Sequence, residues 1–194
     1  IIICSDEIHC ELILDQDKTH IPMATLDTAV AERTITLMAP SKTFNLAGLG
    51  CSFAVISNAE LREQFQRAKA GIVPRVNTLG YAAALGAYRD GEPWREALLD
   101  YLRTNRSYVS DAIADMTGLS MNHVEATYLG WIDARDTGLN DPAGFFEDAG
   151  VGLHNGEVFK GPGYLRLNFG CPLALLEKSL DRMRQALKNH SSSH

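Results

Sequence analysis

The sequence predicts an α/β chain in two parts: sheet material of mainly parallel type over residues 1–93 and a smaller α+β domain over 94–189. Three observations support this. The chain opens on Ile1-Ile2-Ile3-Cys4, a run apolar on both faces, as in a strand buried between layers of helix. Strand-like and helix-like segments alternate as far as the punctuation Asp90-Gly91-Glu92-Pro93. After that, an amphipathic stretch from Trp94 to about Met116 leads into short strands and helices of a different texture.

Taken in order, residues 1–9 read as a short, fully buried strand with Asp6 near its carboxyl end, the end at which open α/β sheets hold ligands. Residues 16–32, mixed and polar around Pro22, suggest a loop with a short helix. Arg33 to Met38 forms a second strand ended by Pro40, with Lys42 in the loop that follows. Cys51 to Ile56 is a third strand. Asn58 caps a helix from Ala59 to about Ala70, and an Ala-rich helix covers 76–90. Leu98, Leu102, Val109 and Ile113 line one face of the long helix. Strand character returns over 121–135, Asp141-Pro142 starts a helix to about Ala149, and Val151-Gly152-Leu153 and Tyr164 to Phe169 are further strands. A terminal helix runs from Leu173 to Leu187, and 190–194 read as a tail or tag remnant.

At 194 residues, 45% hydrophobic and 22% charged, the composition is that of a globular protein. A net charge of −6 argues against a nucleic-acid partner, and no apolar run approaches the roughly 20 residues of a membrane span. Cys4, Cys10, Cys51 and Cys171 lack CxxC spacing and read as buried free thiols in a reducing compartment, the cytoplasm, with a disulfide pair as the lesser alternative and no metal pattern around them. The abrupt start inside a strand suggests the C-terminal half of a longer enzyme.

The chemistry centres on Lys42, in Pro40-Ser41-Lys42-Thr43-Phe44-Asn45-Leu46-Ala47-Gly48, 36 residues after Asp6. A lysine held near its carbonyl partner and partly desolvated makes a good imine nucleophile; the other reading of Lys42 is an ordinary surface lysine in a turn. Asp6 can hold a ring nitrogen protonated, or simply cap a loop. His9 either faces the same pocket or is structural. Arg166, between Leu165 and Leu167, needs an anion if buried, and either a substrate carboxylate or a structural acid would serve; Asn168 shares its strand face. Gly48-x-Gly50 lacks a third glycine and is no dinucleotide fingerprint. Trp94 and Trp131 read as core.

Ser5-Asp6-Glu7-Ile8-His9 and the Pro40 to Gly48 run, with His20-Ile21-Pro22, Gly91-Glu92-Pro93-Trp94, Thr127-Tyr128-Leu129 and Tyr164-Leu165-Arg166-Leu167-Asn168-Phe169-Gly170-Cys171-Pro172, resemble fold type I pyridoxal phosphate (PLP) enzymes of the class I/II aminotransferase family. The cystathionine β-lyase (C–S lyase) branch is the most similar. The resemblance implies the C-terminal part of that family's PLP-binding large domain over 1–93 and its small domain over 94–189. It implies pyridoxal 5'-phosphate as cofactor, an amino-acid substrate and a homodimer. Lys42 would carry the cofactor imine and shuttle the α-proton, Asp6 would hold the pyridinium nitrogen, and Ser41 would help bind the phosphate. His9 stands where related enzymes place a tyrosine near the ring hydroxyl, and Arg166 would clamp the substrate carboxylate.

Ala39 and Gly50 stand where related aminotransferases carry a phosphate-binding serine and arginine, so other groups must serve there. The implied reaction is β-elimination from cystathionine or a related cysteine S-conjugate to thiol, pyruvate and ammonia. The alternatives are an aminotransferase on the same scaffold and an aminotransferase-like sensing domain of a transcription regulator.

Overall fold

A computed structural model describes residues 1–191, which divide into two compact units between Leu98 and Leu99.

In the first unit, β1 (Ile3–Asp6), β2 (Thr34–Met38) and β3 (Phe53–Val55) form a three-stranded sheet in the order β1-β2-β3. β1 and β2 are parallel, with Ile3 opposite Thr34 and Asp6 opposite Leu37; β3 runs antiparallel to β2. The class is therefore α/β, but the sheet is mixed rather than mainly parallel. The short helix α1 (Thr28–Ala31) precedes β2, and α2 (Ala59–Lys69) and α3 (Thr78–Asp90) follow β3. Asn58 accepts the Leu61 amide at 3.0 Å and Asn77 the Gly80 amide at 2.8 Å, each satisfying one free donor of a first helical turn.

The opening strand differs from expectation. Ile1 is fully exposed and Ile2 is 57% exposed, because β1 pairs only with β2 and no described strand covers its other edge. All four cysteines are free as expected, yet Cys4 is exposed and the others only half-buried.

α4 (Glu92–Ala114) runs across the unit boundary. The second unit holds an antiparallel sheet in the order β4-β5-β7-β6, from β4 (Ser120–Met121), β5 (Leu129–Asp133), β6 (His154–Asn155) and β7 (Tyr164–Asn168). The helices α5 (Pro142–Asp148) and α6 (Leu173–Ser191) complete it. Its core combines Leu102, Val109 and Ile113 of α4 with Ile132, Leu165, Phe169, Leu176, Leu180 and Met183. Asn105, fully buried in α4, donates from Nδ2 to the carbonyls of Phe169 (2.8 Å) and Cys171 (2.9 Å), tying down the chain that leaves β7.

Val151-Gly152-Leu153 is not a strand. Gly150 takes φ 78°, and the Val151 amide donates to the Phe146 carbonyl at 2.8 Å, so these residues close the C-terminus of α5. The terminal helix continues through Ser191, past the start of the expected tail at 190; residues 192–194 lie outside the described residues.

Candidate functional site

β1 and β2 are parallel and in register, so their carboxyl ends open on the same side of the sheet. Asp6 is the last residue of β1, and Lys42 lies in the turn immediately after β2. Asp6 is exposed; its Oδ1 accepts the Ile8 amide at 3.3 Å. It borders an apolar cavity of about 500 Å³ between the sheet and α2, lined also by Ile8, Met38, Phe53, Phe65 and Val73. Lys42, Ser41 and His9 are not among the lining residues of that cavity.

The turn that carries Lys42 is pinned on both sides. Pro40 and Thr43 are buried, the Pro40 carbonyl accepts the Phe44 amide at 2.9 Å, and the Ser41 carbonyl accepts the Leu46 amide at 3.1 Å. The Phe44 ring lies 5.9 Å from those of both Tyr88 and Trp94. A Cβ on Gly91 would stand 2.7 Å from Phe44, so this close approach requires glycine. Trp94 is accordingly not a core residue: it is 47% exposed and packs on Phe44. Lys42 itself is exposed rather than semi-buried, and its amine has no partner among the described residues. Ser41 and His9 are half-buried.

Glu7, beside Asp6, is not singled out by the motifs. It is buried, its Oε2 lies 2.7 Å from His20 Nε2, and its Oε1 accepts the Met23 amide and the Ser5 hydroxyl, both at 3.0 Å. Burial pushes the Glu7 carboxyl up, but these hydrogen bonds outweigh it and hold the group below its ordinary value. The pair ties the His20 to Met23 segment to the end of β1, a link between residues 13 apart that no local pattern announces. Burial, followed by the charges of Glu11 and Glu7, pushes the Cys10 thiol up, which disfavours a nucleophilic thiolate there.

In the second unit, Arg166 sits mid-β7, directly opposite Trp131 of β5 and His154 of β6. Leu165 and Leu167 face the core, which sends Arg166 to the other face with Tyr164 and Asn168. Its guanidinium lies over the Phe159 ring at 4.5 Å, and its Nε is buried with no hydrogen-bond acceptor among the described residues. An unmatched buried donor on an arginine fork suits a planar carboxylate. The structure thus gathers Asp6, His9, Ser41 and Lys42 into the first unit and places Arg166 in the second. From the sequence Glu7 reads as solvated or paired, and the structure pairs it with His20; sequence reasoning missed Asn105 and Phe159.

An exposed lysine amine and a carboxylate at the carboxyl ends of adjacent parallel strands are the groups needed by a cofactor bearing a carbonyl and a ring nitrogen. A Cβ on Gly48 would meet nothing within 4 Å, which leaves open backbone in the same loop.

Known proteins resemble this chain in both sequence and fold. The family model "Aminotransferase class I and II" matches residues 1–183. Cystathionine beta-lyase PatB of Bacillus subtilis is 33% identical, over 96% of this chain and 50% of its own length. Among solved structures, OvoB is 52% identical with a TM-score of 0.94, covering 96% of this chain and 49% of that one. Cystalysin from Treponema denticola, whose structure contains pyridoxal 5'-phosphate, is 33% identical with a TM-score of 0.91, covering 97% and 50%. The chain spans about half the length of the curated relatives it matches. It belongs to the class I and II aminotransferase family.

Proposed function

We propose that these residues form the C-terminal half of a PLP-dependent carbon–sulfur β-lyase, which cleaves cystathionine or a related cysteine S-conjugate to a thiol, pyruvate and ammonia. One observation carries this proposal: an exposed aspartate closes one strand, and a lysine amine without a partner among the described residues follows the carboxyl end of its parallel neighbour. The similarity to a protein named cystathionine beta-lyase supports the choice of reaction.

The cofactor, when bound, supplies a carbonyl for amines and a ring that accepts an electron pair. Lys42 would furnish the resident amine and take the proton from the substrate Cα. Asp6 would keep a proton on the ring nitrogen. His9 would face the ring hydroxyl, Ser41 would donate to the phosphate, and Arg166 would grip the α-carboxylate through its fork. We further propose a cytoplasmic homodimer. The unpaired cysteines and the exposed apolar side chains of the first unit, Ile72 and Leu79 among them, support it. Among the described residues no helix is long and apolar enough to cross a membrane.

The test is to incubate the full-length protein, loaded with pyridoxal phosphate, with L-cystathionine and no 2-oxo acid. Stoichiometric pyruvate, ammonia and thiol are expected. Amino transfer that depends on an added 2-oxo acid, without pyruvate release, would replace the lyase by an aminotransferase.

A further inference from the structure

Phe159 is 46% exposed, so the core of its unit does not require it. Even so, the segment between β6 and β7 is closely built around it. Asn155 accepts the Glu157 amide at 3.0 Å, the Gly161 amide donates to the Gly156 carbonyl at 2.9 Å, and Lys160 takes φ 63° to close the turn. A Cβ on Gly156 would collide with the carbonyl oxygens of Gly161 and Tyr164, and one on Gly161 would stand 2.7 Å from the Trp131 indole. Trp131 in turn stacks on Tyr164 at 5.5 Å and 13° and meets Phe159 in a T-shaped contact at 5.9 Å and 77°. The end result is one aromatic face lying under the Arg166 guanidinium at 4.5 Å.

We infer that Phe159 is a positioning residue: its ring face fixes the plane of the Arg166 guanidinium so that the fork is pre-set for a substrate carboxylate. This rests on the proposed role of Arg166. Arginine stacks on aromatic faces without giving up the in-plane hydrogen bonds of its fork, so Phe159 can orient it while leaving those donors to the ligand. The buried Nε, without an acceptor among the described residues, marks the edge that would donate to a carboxylate oxygen.

The experiment uses the full-length holoenzyme, titrated with L-alanine, an amino acid without a β-leaving group, while the visible spectrum of the cofactor is followed. KM and kcat for L-cystathionine are measured alongside. Phe159→Leu should raise the L-alanine Kd and the KM by roughly 3- to 30-fold, with kcat and the starting spectrum preserved. Phe159→Tyr, which retains the ring face, should stay within about twofold of the parent, since it keeps the same cation–π contact. An unchanged Kd in Phe159→Leu beside a raised Kd in Arg166→Gln overturns the role of Phe159 and leaves that of Arg166 standing. An unchanged Kd in both removes the two together. Equal weakening by Leu and Tyr also overturns it, because the aromatic face would then not be what acts.

Discussion

The two units reach order differently. Of the buried apolar side chains other than proline among the described residues, 18 lie at or beyond Leu99, Phe146, Phe169 and Met183 among them, and six lie before it. Only Leu12 and Leu14 of those six are among the large side chains below 2% exposure. The first unit instead exposes Ile1, Ile2, Phe53, Val55, Ile72 and Leu79. The second unit is built on a well-filled core, with Arg166 on the other face of its sheet. The first is a thin sheet presenting the amine and the carboxylate, and its stability must come from further burial or from a bound ligand.

The largest expected effect is chemical and falls on the first unit. Lys42→Ala should lower turnover of L-cystathionine by at least about 10³-fold, the scale of losing a covalent and proton-transfer group. Full activity in that variant would remove the assignment. On the structural side, residues 99–191 expressed alone should unfold cooperatively in urea, whereas residues 1–98 alone should show no cooperative transition; the reverse result breaks the comparison. Within the second unit, Phe146→Ala should cost about 3–5 kcal/mol, while Ile72→Ala in the first should stay within about 0.5 kcal/mol, both read from denaturant midpoints of the full-length protein.

A smaller effect concerns Glu7. Its folded-state pKa lies below the ordinary 4.5, so its contribution to stability is complete above that value and is lost as pH falls through the lower folded one. Glu7→Gln should therefore be less stable by roughly 1–3 kcal/mol at neutral pH, with the gap closing in acid. A gap that holds constant down to about pH 3 would show that the carboxylate charge is not the source.

Much of the fold is legible in the sequence because its signals are local. Asn58 and Asp141-Pro142 start helices where a side-chain oxygen meets free amides, at 3.0 Å and 3.1 Å, and no distant partner is needed. The order Asp6, Lys42, Arg166 is legible as motif and flanking strand. Three things are not. The apolar run that marks β1 cannot say whether a neighbour covers it, so Ile1 and Ile2 read as buried. Val151 reads as strand because a helix-closing residue and a strand residue are both apolar. Asn105 and Phe159 act through partners that only the folded chain supplies, one 64 residues away and the other across a turn held by glycines.

The central claim is that the Lys42 amine is the covalent anchor of pyridoxal phosphate. Borohydride reduction of the full-length holoenzyme, followed by peptide mass mapping, tests it most directly. The expected result is loss of the visible cofactor band, with the reduced cofactor attached at Lys42 alone. Attachment at Lys18, Lys69 or Lys160, or none in this chain, would contradict it.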